Sequence, residues 1–463
     1  VGGAGVSVAA SSPAGTSTAP PGARAGAAPA PIPGGLAGGL APQGAGSLLL
    51  SGEHFAAALL YLALGVLGLV WVAPDVALGR FASPHVAGVT HLFTLGWLTT
   101  TIFGALYQLL PVALGAPIRS ARLGHASFWT YAPGVALFAC GIAEGSTMLH
   151  HAGIALVATG VLLFAANVAL TLPRARQRDA TWAAVAAAVG FLVLTLALGV
   201  ALLHNIHTGF LAERRVRVLA IHVHVALIGW ALVMIVGMSH RLLPMFLLAH
   251  GADTRWTRRA LALLAAGLPL LVGGLALDAP AASWGALALL EAGVACFLVQ
   301  ARRFFRARIR PRLDAGMRFV AVGLCWLGAS ALLAPAVLAL GAVRAPRLAT
   351  AYVAIALLGG IITYVMGHFY KIVPFLAWIA RFRARVGKEP VPTVAELYSS
   401  RVAHLQLACT TAAVALLAAG IALGSAAVTR AGAVLLAAGV ALLASQAARV
   451  ARRAPRPSPV PGA

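Results

Sequence analysis

The sequence predicts an all-α membrane protein of twelve transmembrane helices in a pseudo-threefold array of four-helix units, and three observations carry that prediction. Hydrophobic residues make up 60% of the 463 and charged residues 10%, with a mean hydropathy of +0.91, whereas a soluble domain is nearer ~25% charged. Apolar runs of the ~20 residues that cross a hydrocarbon layer recur twelve times. One motif, finally, occurs in three of those runs.

The spans fall near 54–73, 84–114, 126–145, 149–172, 181–204, 216–248, 258–278, 281–301, 315–340, 347–379, 402–424 and 427–448. Gly and Pro punctuate the joints, at Pro74, Pro84, Pro173, Pro280, Pro311 and Pro346. Ahead of them, residues 1–47 are mostly Ala, Gly, Pro and Ser with Arg24 as their one charge, too poor in large apolar groups to fold, and are expected to form a disordered tail. Residues 50–450 make the membrane domain and 451–463 a basic tail.

A formal charge of +23 would suggest a nucleic-acid partner in a soluble protein. Here the basic residues sit in short clusters between apolar runs, so the expected partner is the lipid bilayer and no nucleic acid. The loops after even-numbered spans and the C-terminal tail hold twenty-two basic residues and the odd-numbered loops seven. This positive-inside bias places both termini in the cytoplasm. Lys371 and Lys388 are the only lysines, a bias toward Arg typical of a GC-rich bacterial genome, hence an inner-membrane location. Cys140, Cys296, Cys325 and Cys409 form no C-x-x-C pair and read as small buried hydrophobes.

Residues 91–111 read HLFTLGWLTTTIFGALYQLLP and residues 224–244 read HVALIGWALVMIVGMSHRLLP, with eight of 21 positions identical. Residues 354–374, AIALLGGIITYVMGHFYKIVP, keep Gly359, Gly367 and Pro374 in register with Gly96, Gly104 and Pro111. These are spans two, six and ten, which divides the chain into units of about 50–172, 181–301 and 315–448. On an α-helix Trp97, Gly104 and Pro111 share one stripe, as do Trp230, Gly237 and Pro244, and a mid-stripe glycine admits either a partner helix or a flat cofactor.

Eight of the fourteen histidines, His85, His91, His150, His151, His204, His207, His222 and His224, fall near the outer ends of spans. His91 and His224 share a repeat position ~12 Å inside the outer boundary, at 1.5 Å per residue. Intramembrane ionisable groups mark functional sites, and imidazoles from two facing helices are what an axially ligated heme or a copper ion needs. The expected cofactor ligands are therefore His91, His224 and His222. A bis-axial arrangement of His91 and His224 requires ~4 Å between ligand nitrogens. His222 and His224 point ~160° apart on a regular helix, so each must face a different neighbour. His85 and His207 at the same end, and His240 and His368 at the opposite end, are further metal-ligating positions, and Arg214, Arg215 and Arg217 are placed to meet heme propionates.

At the opposite end the repeat carries Gln108, Arg241 and Lys371, beside Tyr107, His240, His368 and Tyr370, and these are expected to snorkel toward headgroups. Thr99, Thr100, Thr101 and Glu291 are polar at membrane depth, where they line a wet path or bond back to their own helix.

Twelve spans in three fours, with outer-side histidines on spans two and six, resemble subunit I of the heme-copper oxidase superfamily. The LGW…G…Y..LP pattern is most similar to its divergent relatives, the oxidase-subunit-I-like proteins and the heme- and copper-containing NnrS family. The architecture covers residues 50–450 and the motif similarity only the three repeat helices. The resemblance implies that His91 is the heme ligand of span two and that His222 or His224 stands where a copper ligand sits on span six. It also implies electron transfer with other respiratory subunits or a cytochrome c, or a response to nitric oxide or oxygen. Span seven lacks histidine and span ten has only His368, so the oxidase copper pair and the span-ten heme ligands are missing and oxygen reduction is not expected. A transporter or channel built from repeated helices and a cofactor-free accessory subunit are the alternative readings.

Overall fold

Three helices that carry the repeated motif form the interior of a twelve-helix bundle. In the computed structural model, which describes residues 2–3, 44–249, 251 and 253–452, the helices are α1 Leu48–Ala77, α2 Pro84–Leu114, α3 Ala121–Ala143, α4 Thr147–Arg174, α5 Ala180–Thr208, α6 Ala212–Leu247, α7 Arg255–Ala276, α8 Pro280–Arg306, α9 Ala315–Leu340, α10 Pro346–Arg385, α11 Ser400–Leu423 and α12 Ala426–Arg452. Among the described residues there is no strand, and the chain is an all-α, multi-pass membrane protein. The tail over 1–47 lies, but for 2–3 and 44–47, outside the described residues, as does 453–463 of the basic tail. The most apolar stretches of α2, α6 and α10 are 72%, 56% and 78% buried, against 22–50% for the other nine helices, so the motif helices are the innermost.

The packing repeats with the sequence. In each unit the second helix lies on the first and the third pairs with the fourth, while α12 returns to α1. Glycines set the closest approaches. A Cβ on Gly96 or Gly104 would lie 2.5 Å from Tyr61 or 2.7 Å from His54, both on α1. Gly229 and Gly237 meet Phe191 and Ala184 on α5 in the same way, and Gly359 and Gly367 meet Trp326 and Gly316 on α9. Contact between small residues lets backbones approach where lipid gives no hydrophobic drive for association. Hydroxyls of the first helix use that closeness: Ser51 Oγ donates to the Gly104 carbonyl at 2.8 Å and Thr181 Oγ1 to that of Gly237 at 2.9 Å.

The stripe drawn on a regular α-helix is corrected by the structure. Gly104 faces α1, whereas Trp97 is fully buried toward α10, its ring 5.5 Å from that of Phe369. The cause is a change of helix type. Leu92–Thr99, Val225–Leu232 and Ile355–Ile362 are π-helical, at the same place in all three repeats, and a wider turn rotates everything beyond it. The glycine face therefore holds a helix and not a cofactor. Threonine hydroxyls satisfy carbonyls of these segments, Thr100 Oγ1 bonding Leu95 O at 3.0 Å and Thr363 Oγ1 bonding Leu358 O at 2.8 Å. Cys140 and Cys325 lie on the outer surface and not in the core.

Candidate functional site

The α-to-π switch begins immediately after His91, His224 and Ala354, the three equivalent positions. Two residues earlier the repeats carry Val89, His222 and Tyr352. The structure joins these two positions across helices. The His91 ring lies 6.5 Å from that of His222, with planes at 40°. His224 stacks on Tyr352 at 6.1 Å and 26°, with its Nε2 3.5 Å from the phenol oxygen. Each pair thus combines the motif position of one repeat with the earlier position of the next. At the register-equivalent third positions stand Ala354 and Val89, which offer no metal-binding atom, and Val89 packs on Gly68 of α1.

His91 and His222 are the pair that is brought together, and His224 turns to Tyr352, as the ~160° between His222 and His224 requires. The His91 ring thus neighbours His222 and not His224, the partner expected for it, since His224 is aimed at α10. His91 Nδ1 is 2.8 Å from Ala87 O and its ring edge packs on Phe138 at 5.1 Å. A carbonyl at Nδ1 fixes the tautomer that leaves Nε2 free to ligate. His222 Nδ1 is buried with no hydrogen bond of good geometry, the Thr195 backbone of α5 lying beside the ring, and an added Cβ on Gly199 of α5 would lie 3.4 Å from His222 Cε1. Below the pair, Trp230 Nε1 donates to Thr99 Oγ1 at 3.1 Å and ties α6 to α2. On α8, Glu291 Oε1 is also buried without a partner. Tyr352 is a site residue that sequence patterning did not single out, although alignment at the 130-residue offset sets it on His222.

The remaining histidines separate. His85 is exposed and packs on Trp71 at 4.7 Å. His207 meets His150 and His151 at the ends of α4 and α5. His240 Nδ1 is buried without a partner at the arginine-rich end. His368 stacks on Tyr364 at 4.7 Å, with Nδ1 3.2 Å from the Tyr364 carbonyl. Of the three loop arginines, Arg217 is taken by Asp278 at 2.7 Å.

At the arginine-rich end, tethering replaces the snorkelling expected of the repeat cations. Lys371 Nζ binds Asp314 at 2.7 Å and Arg241 binds Asp179. Both carboxylates cap the first helix of the same unit, Asp314 accepting from Met317 N at 3.0 Å and Asp179 from Thr181 N at 2.9 Å. Between α2, α6 and α10 lies a cavity of about 70 Å³ lined by Phe55, Ile102, Met234, Met238, Phe369 and other apolar side chains, with Thr101, Ser239, Tyr364 and His368 as its polar members. Ser239 and Tyr364 bond each other. Such a lining favours a dry cavity over an ion path. No protein-family model matches the chain, and no curated protein matches it.

Proposed function

We propose that the chain is a heme- or copper-binding membrane protein of the oxidase-subunit-I-like kind, with a redox metal held between α2 and α6 by His91 and His222. The separation of the two rings carries this reading. A metal–nitrogen bond is about 2 Å and a ring nitrogen lies about 1 Å from its ring centre, so two imidazoles that shared one metal would stand up to about 6 Å apart. The rings here are 6.5 Å apart.

A heme or copper ion bound there supplies one-electron chemistry. The protein's part is to fix the two rings, through Ala87 O and Phe138 on one side and Gly199 on the other, within an apolar shell that excludes water. His224 with Tyr352 is the register-equivalent position one repeat further on and is the place for a copper ion or a proton-carrying phenol. With the arginine-rich loops toward the cytoplasm of a bacterial cell, the histidine end faces outward, where another respiratory subunit or a cytochrome c would exchange electrons.

The test is a pyridine-hemochrome spectrum with metal analysis of protein purified after heme-replete expression. Heme is expected in the wild type, and His91→Ala and His222→Ala each remove or shift the Soret band with helix content unchanged, while His224→Ala leaves it in place. Neither heme nor copper in the wild type, or a band indifferent to both His91→Ala and His222→Ala, overturns the proposal.

A further inference from the structure

We infer that His150, His151 and His207 form a second metal site, separate from the His91–His222 pair, that takes a divalent ion of the copper class at the mouth between α4 and α5. The three ring centroids lie 4.8, 5.0 and 5.0 Å apart, and one nitrogen from each falls within 4.8 Å of the others. His150 Nε2 and His207 Nε2 are 2.9 Å apart. A single N–H···N hydrogen bond explains that pair. It does not explain why a third imidazole converges on it.

Local structure holds the three in place. Gly141 of α3 is packed so tightly on α4 that an added Cβ would lie 2.3 Å from the His150 backbone nitrogen, and His150 is only 3% exposed. Ser146 caps α4 one turn before, accepting from Leu149 N at 3.4 Å. His151 Nδ1 is 2.7 Å from the Thr147 carbonyl, which leaves Nε2 as the ligand atom. At the end of α5, Gly209 takes the left-handed conformation at φ 65° and Asn205 Oδ1 accepts from Leu211 N at 2.7 Å, so the turn carrying His207 is closed on itself.

The chemistry selects the ion. All three donors are imidazoles, which suit Cu, Zn and Ni and not Mg or Ca, and Cu(II) heads the affinity order for such donors. Gly199, which touches His222, is eight residues before His207 on α5, or ~12 Å at 1.5 Å per residue. The two sites therefore load independently.

Protein in detergent, stripped with a chelator, is titrated with Cu(II) and, in parallel, Zn(II), with bound metal counted after dialysis and the copper site read by EPR. We expect a tetragonal Cu(II) signal split by imidazole nitrogens and a preference for Cu(II) over Zn(II). His151→Gln and His207→Gln, both at exposed positions, should each weaken binding at least tenfold, and the double variant should abolish the signal. A His91→Ala/His222→Ala protein should keep it, which separates this site from the heme reading. The inference is overturned by a wild type that takes up no copper with this signature, by affinity unchanged in the double variant, or by dependence on His207 without dependence on His151.

Discussion

Replacing Gly367 with alanine tests whether the repeated glycines set the helix spacing. The new Cβ would stand 2.5 Å from the Gly316 carbonyl oxygen and 2.8 Å from Val320 Cγ2. An ordinary carbon–oxygen contact is about 3.3 Å, so α9 and α10 must separate by about 0.8 Å, and the obstacle is backbone that no rotamer change can clear. Overpacking of this kind costs about 1–3 kcal/mol. An added Cβ on Gly190 of α5 or Gly273 of α7 would meet nothing within 4 Å. Alanine there should be neutral or stabilising by up to about 1 kcal/mol, the ordinary helix gain over glycine. The assay is the thermal midpoint of purified protein, followed by size-exclusion chromatography after heating. Gly367→Ala and Gly237→Ala, whose Cβ would lie 2.2 Å from Ala184 Cβ, should fall below the wild type while Gly190→Ala and Gly273→Ala do not. Equal midpoints for the two classes would refute the argument that these glycines are spacers.

Asp314→Ala removes both the cap on Met317 N and the 2.7 Å partner of Lys371, and should cost about 1–2 kcal/mol, taking about 1 for the cap and up to about 1 for a partly exposed pair. Asp314→Asn keeps a capping oxygen and should recover about half of that in the same thermal assay; no difference between Asn and Ala would count against the capping role. In the loop before α7, the Arg255 amide bonded to Asp253, with the Arg255 and Arg303 side chains beside it, holds the Asp253 carboxyl below its usual range. A depressed folded value means that this contact stabilises above the unfolded carboxylate range, near pH 4, and is lost as pH falls through the folded value. Asp253→Asn should therefore flatten the decline of the thermal midpoint below about pH 4, and a parallel decline in both proteins would remove Asp253 as its source.

The spans and the repeat register were legible because lipid imposes ~20-residue apolar runs and because Gly104, Gly237 and Gly367 recur with prolines seven residues on. The opposed directions of His222 and His224 followed from their spacing alone. Which histidine each would meet did not, because it depends on how α2, α6 and α10 are rotated about their axes. Drawing an α-helix through Trp97 and Gly104 gives one stripe, whereas the π segment up to Thr99 sends Trp97 toward Phe369 and Gly104 toward His54. The His150, His151 and His207 cluster was hidden for another reason. His207 lies on α5 and His150 and His151 on α4, so their convergence depends on how those two helices are set against each other. Their shared position at the outer ends of consecutive antiparallel spans was the available signal.

The π segments also separate what belongs to the fold from what belongs to the site. A π insertion is often taken as a mark of function, yet here it is present in all three repeats, including the third, where Ala354 replaces the histidine. Packing accounts for it: the wider turn allows Gly96, Gly229 and Gly359 to face the first helix of each unit, while His91 and His224, the positions before the first two segments, meet the next repeat helix. The geometry is thus threefold, and the chemistry is not. Of three register-equivalent pairs, one is His with His, one is His with Tyr, and one is Ala with Val. An array that needed only to pack would have no reason to place imidazoles at two of those pairs, at a depth where each must find a partner. The asymmetry sets the imidazoles His91, His222 and His224 on the α2–α6–α10 side of the array, with Ala354 and Val89 at the matching positions on the α10-to-α2 side.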